Sequence, residues 1–163
     1  MRLRHIVLWT LVFFIVAPSV YAEGRPFRGS VKWSVLLCRF TDGGVVPRDL
    51  NYYRDMIINR STGGLADYWD DISYGGIDLN GSVVRGWYNM SITVAQGMAL
   101  DRWGRVDACV NAARNATTNA YQVPAGHKLA VITFPAIDMF GWNGGAFLPH
   151  DVDIGGIGHE AGH

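Results

Sequence analysis

Two unbroken apolar runs stand out along the chain. Val31 to Phe40 contains Val35, Leu36, Leu37 and Cys38 in succession, and Lys128 to Phe134 reads Lys-Leu-Ala-Val-Ile-Thr-Phe. A run of that length without a polar face suits a strand covered on both sides of a sheet. Between the runs, the period lengthens to that of helices. Thr41-Asp42-Gly43-Gly44 breaks the chain, and Pro47 is placed to start a helix reaching about Arg60, with Leu50, Tyr53, Ile57 and Arg60 on one stripe. Leu65 to Ser73 predicts a second, shorter helix that buries Leu65, Trp69 and Ile72 and turns Asp67, Asp70 and Asp71 outward. Ile77 to Leu79 and Ser82 to Tyr88 alternate like strands about the turn dipeptide Asn80-Gly81. The longest helix is expected from about Met98 to Tyr121, with Trp103, Val106, Val110 and Ala113 inward and Cys109 beside them. Since the second apolar run follows this helix, the two runs are expected to lie parallel in one sheet.

The last predicted helix opens at Asp151 or Asp153, either of which can cap it, and packs Ile154, Ile157 and Ala161 inward. Gly155, Gly156, Gly158 and Gly162 each cost about 0.5–1 kcal/mol relative to alanine there, so a close packing partner or a bound metal is expected to compensate.

Composition narrows the class. The 163 residues, 49% of them hydrophobic, fit one domain with a real core or part of one. Fourteen basic residues balance fourteen acidic ones, and they are scattered without a stripe, so no nucleic-acid partner is expected. The acidic triplet lacks the spacing of a calcium loop and reads as a solvated face. Met1 to His5 is basic, Ile6 to Ala17 is apolar, and Val20-Tyr21-Ala22 offers small residues at a cleavage site. Residues 1–22 therefore read as a secretory signal peptide, the run being shorter than a bilayer span, and residues 23–163 as the exported, extracellular part with no membrane span after cleavage. Export permits a bridge between Cys38 and Cys109, although both also suit buried thiols.

The candidate chemistry lies in His159-Glu160-Ala161-Gly162-His163. On a helix His159 and His163 are four residues apart and share a face, so together they are placed to hold one Zn²⁺. Glu160 lies about 100° round the axis, where it serves as a general base rather than a ligand. The chain has five histidines and only Glu23 and Glu160 as glutamates, so chance rarely assembles this pattern. A surface helix that happens to carry two histidines is the bland reading.

Two blocks carry a resemblance. Asp67-Tyr68-Trp69-Asp70-Asp71-Ile72-Ser73-Tyr74-Gly75-Gly76, then Leu79-Asn80-Gly81-Ser82-Val83-Val84-Arg85-Gly86-Trp87-Tyr88, together with the histidine motif, resemble secreted zincin metallopeptidases of the immune-inhibitor-A (M6-like) type, with gametolysin-like zincins second. The resemblance implies an α/β (α+β) zincin-like fold, a twisted mixed sheet with helices, an antiparallel edge strand above a cleft and a C-terminal active-site helix below it. It implies a zinc endopeptidase in which His159 and His163 bind the metal, Glu160 is the base, and a protein or peptide is the substrate. The edge strand is expected within residues 135–149, with Gly145 and Ala146 contacting substrate. The alternative is an ordinary loop anchored by Phe140, Trp142 and Phe147.

A catalytic zinc takes three protein ligands. The resemblance implies a third ligand, His, Asp or Glu, after the second histidine; His127, His150, Asp151 and Asp153 all lie upstream and have no recognised ligand spacing. The chain accordingly reads as the N-terminal part of the catalytic domain, with its C-terminal subdomain missing, and as inactive by itself. Two other readings are a secreted, non-catalytic binding module with a zincin-like fold and a structural zinc site closed by a second chain.

Overall fold

The computed structural model describes residues 28–161; the expected signal peptide and the motif's second histidine, His163, lie outside the described residues. After the short β1 (Gly29–Ser30) comes β2 (Trp33–Arg39), buried along nearly its whole length as its apolar run requires. Helices α1 (Leu50–Ile57) and α2 (Leu65–Ile72) lead through β3 (Ile77–Asp78) to β4 (Val83–Asn89). Next come α3 (Val94–Ala99), α4 (Arg102–Arg114) and β5 (Lys128–Phe134), and then β6 (Phe140–Trp142), β7 (Gly145–Pro149) and α5 (Ile154–Ala161).

Five strands form one mixed sheet in the order β4-β2-β5-β7-β6. All neighbours pair in parallel except β6, which runs antiparallel to β7 at the edge. The expected parallel pairing of the two apolar runs is the β2–β5 ladder, from Trp33 opposite Lys128 to Arg39 opposite Phe134. Right-handed crossovers account for the layering. The step from β2 to β4 and the step from β4 to β5 move in opposite directions across the sheet, so their helices fall on opposite faces. Trp33, Val35 and Leu37 pack with α1, α2 and α5, whereas Leu36 and Cys38 pack with α4. Among the described residues no helix is long and apolar enough to cross a membrane.

Several expectations shift. Asp49 rather than Pro47 starts α1, its carboxylate accepting the Tyr52 N–H at 2.9 Å; the helix ends at Ile57, and Arg60 pairs instead with Asp70 at 2.7 Å. In α2, Leu65 and Ala66 are buried at its start, Trp69 is partly buried against Trp33, and Ile72 at its end is 56% exposed. Asp67 is not merely solvated. Its carboxylate accepts the backbone N–H groups of Ser61, Thr62 and Gly63, and these bonds, Ser61 foremost, hold its pKa below the usual range. The strands either side of Asn80-Gly81 exist but do not pair with each other: β3 lies parallel to β1, and β4 parallel to β2.

The long helix divides. Leu100 is extended, Asp101 caps α4 by accepting the Gly104 N–H at 2.7 Å, and α4 stops at Arg114. The buried face of α4 is Val106, Cys109 and Ala113, while Trp103 is 56% exposed. Cys109 thus points directly at β2 and forms a disulfide with Cys38, their Cα atoms 5.7 Å apart. The bridge ties the central strand to the helix layer across 71 residues of sequence.

Two predictions follow from this packing. Replacing both cysteines with alanine should cost about 2–4 kcal/mol, seen as a lower urea midpoint, and reductant should shift the wild type comparably; an unchanged midpoint in both would remove the structural role. The second concerns Tyr53, fully buried, donating to the His150 carbonyl at 3.0 Å, its phenol pushed up to about 12 mainly by burial. The fold favours the neutral phenol, so this stabilisation is complete below pH ~10 and is lost as pH rises towards ~12. Burial also raises Tyr88. Denaturation at pH 9, 10 and 11 should show falling stability, less steeply in Tyr53→Phe.

Candidate active-site cleft

Helix α5 brings the candidate chemistry to the sheet edge. Asp153 is its cap, accepting the Gly156 N–H at 2.7 Å, and Ile157 is buried against the sheet with Ile154 partly so. Close packing accounts for two of its glycines. A Cβ on Gly158 would sit 3.3 Å from the Tyr68 ring of α2, and one on Gly156 would sit 2.9 Å from the Val152 side chain.

His159 and Glu160, adjacent in sequence, meet different surroundings because a helix turns about 100° per residue. His159 is exposed, whereas Glu160 is 9% exposed and lies under the edge strand. The contact is with Gly141, the middle residue of β6. A Cβ there would be 2.9 Å from the Glu160 carboxylate and closer still to its backbone oxygen, so glycine is what lets helix and strand meet. Glu160 then lines an open cleft of about 490 Å³ with Arg102, Met139, Phe140, Gly141, Trp142 and Asn143.

The expected substrate contacts change strand. Gly145 and Ala146 belong to β7, an interior strand paired to β5 on one side and β6 on the other, and both are buried. Their backbones are engaged in the sheet, and Gly145 also provides room for the Trp142 indole. The antiparallel edge sits within the expected stretch, but it is β6.

The edge strand is held in place from the helix layer. Arg105 of α4 donates to Asp138 at 2.5 Å, to the Gly97 carbonyl at 3.0 Å and to the Met98 carbonyl at 3.1 Å. Asp138 precedes β6 by two residues. Phe140 stacks on Phe147, and Trp142 meets Trp103 edge-on at 5.3 Å. None of Arg102, Arg105 or Asp138 carried a motif in the sequence; their roles depend on contacts more than thirty residues apart.

Two other described histidines, His127 and His150, have other duties. His127 Nδ1 is 3.0 Å from Ser34 Oγ, which is also 2.8 Å from the Tyr121 hydroxyl, and the His150 ring packs edge-on against Phe134. Among the described residues no group of three or more His, Cys, Asp or Glu side chains gathers as a metal would require. A second concavity, about 480 Å³ between β4 and the end of α4, is lined by Asn89, Asn111, Asn115 and Asn119, with the phenol of Tyr88 in its wall and no carboxylate, imidazole or cysteine. No family model and no curated protein sequence matches the chain.

Because Gly141 is the point where β6 meets α5, Gly141→Ala should separate the two elements. A loss of about 1–3 kcal/mol in denaturant unfolding is expected, by analogy with overpacked cores. A fully stable alanine variant would show that the contact does not set the position of Glu160.

Proposed function

We propose that this chain belongs to an exported, zincin-like zinc endopeptidase. One observation carries the reading: Glu160, next to His159 on α5, is nearly buried in a cleft roofed by an antiparallel edge strand. A general base needs shelter from bulk water and a substrate groove within reach, and this position has both. Among the described residues strand β6 pairs with β7 alone, so its outer edge offers backbone donors and acceptors to an extended peptide.

The donor set suits zinc, since His159 and His163 stand four residues apart in the sequence and imidazole nitrogen is a common zinc ligand. Zinc bound there supplies Lewis acidity and lowers the pKa of its water. The chain's own residues do the rest. Strand β6 orients the peptide alongside the cleft. Glu160 accepts a proton from the attacking water and delivers it to the departing amine, its carboxylate partly covered by Gly141 of β6. The buried disulfide suits an oxidising compartment, in keeping with the leader-like residues 1–22.

The full product of the gene, including whatever follows His163, is the material for the test. It should cleave an unstructured protein in a chelator-sensitive manner and hold one zinc per chain, and His159→Ala or His163→Ala should abolish tight zinc binding. Glu160→Gln should lower kcat by about 10²–10⁴-fold while zinc stays bound. Cleavage that survives this substitution would sink the mechanism. Peptide binding without bound zinc or cleavage would favour a non-catalytic binding module.

A further inference from the structure

Among the described residues lining the cleft, Arg102 is the only basic one. It opens α4, and Arg105 follows almost one turn later; both face Asp138 in the segment leading into β6. The two arginines share that carboxylate unequally. Arg105, with a side chain 16% exposed, is 2.5 Å from it and also satisfies the Gly97 and Met98 carbonyls. Arg102, with a side chain 61% exposed, stays 3.5 Å away and lays its guanidinium over the Phe140 ring, 4.7 Å from the centroid. Two guanidinium charges against one carboxylate leave a surplus, and the surplus lies on Arg102, at the cleft wall. Its sequence neighbour Asp101 is engaged in capping α4. Glu160 is the cleft's own acid, and the proposed mechanism uses it for proton transfer.

We propose that Arg102 is a specificity-determining residue that selects peptides carrying a glutamate or aspartate side chain at the subsite bordered by Phe140 and Trp142. The inference rests on reading the cleft as a peptide groove. A guanidinium fork matches a carboxylate geometrically, and stacking on Phe140 restrains it before substrate arrives. Because Arg102 is exposed, the preference is modest and sensitive to salt. A lysine or arginine side chain at the same subsite meets a like charge and is disfavoured.

The test uses the full gene product carrying Glu160→Gln, which holds a peptide without turning it over. Fluorescein-labelled peptides differing only by Glu, Gln or Lys at successive positions are titrated by fluorescence anisotropy. At one position the Glu peptide should bind about fivefold more tightly than the Gln peptide, with Lys weakest. Arg102→Ala should erase that difference, Arg102→Lys should keep part of it, and Arg102→Glu should reverse the order. About 0.5 M salt should narrow it. The active protein should show the same ranking in kcat/KM. Equal binding of Glu and Gln peptides at every position, or a Glu preference that survives Arg102→Ala, overturns the proposal. The two readings fail separately. Acid-selective binding by a protein that cleaves nothing keeps Arg102's role and rejects hydrolysis, whereas cleavage without selectivity does the reverse. A protein that binds none of the peptides overturns both.

Discussion

Burial of β2 on both faces is the constraint from which the architecture descends. Ser34 apart, whose hydroxyl lies within hydrogen-bond distance of Tyr121 and His127, both faces of the strand's buried length are apolar, so helices must cover it twice. Val35 and Leu37 draw in α1, α2 and α5, while Leu36 and Cys38 draw in α4. Parallel neighbours on either side then follow, because each crossover helix returns the chain to the sheet in the same sense. The disulfide reinforces this arrangement at its most buried point, fastening β2 to the one long helix on its face of the sheet.

The cleft depends on the same sheet at its far edge. Strand β7 is an interior strand like β5, and among the described residues the short antiparallel β6 beyond it is left with one side unpaired, as β4 is at the opposite edge. Helix α5 packs against β7 through Ile157 and against β6 through the backbone at Gly141. Glu160 is thereby placed by packing against Gly141 of the edge strand. A helix with so many glycines gains little from intrinsic propensity. Its position comes from what it touches: Tyr68 over Gly158, Val152 against Gly156, and the edge strand over Glu160.

This explains what the sequence could and could not convey. The strands β2 and β5 were legible because doubly buried strands advertise themselves as apolar runs, and the motif was legible because its chemistry is encoded within five consecutive residues. Helix faces were less so. The predicted stripe of Trp103, Val106, Val110 and Ala113 shares Val106 and Ala113 with the observed face, which centres on Cys109 and leaves Trp103 exposed, since a helix of mostly small and polar residues has a weakly marked face. Ile72 shares the stripe yet lies exposed, because periodicity says which residues share a side, not whether another element covers that end of the helix. Gly145 and Ala146 were assigned to the cleft from a stretch that does contain the edge strand. Which of two short strands is outermost is a matter of pairing partners, and no local pattern records it.

The cleft's remaining determinant is the ion pair at its rim. A partly enclosed guanidinium is costly unless its donors are met, and Arg105 meets them with one carboxylate and two carbonyls. Those two carbonyls end α3, and the carboxylate lies two residues ahead of β6. One side chain of α4 therefore links the helix layer on one face to the start of the edge strand that meets α5 on the other. A three-residue strand has too few ladder bonds to fix its own height above α5. The Arg105–Asp138 contact supplies that restraint at one end, as the Trp142–Trp103 contact does at the other. With Arg105 taking the carboxylate, Arg102 keeps its charge at the cleft wall. Anchoring the edge strand and leaving a charge for substrate are thus two results of placing two arginines against one aspartate.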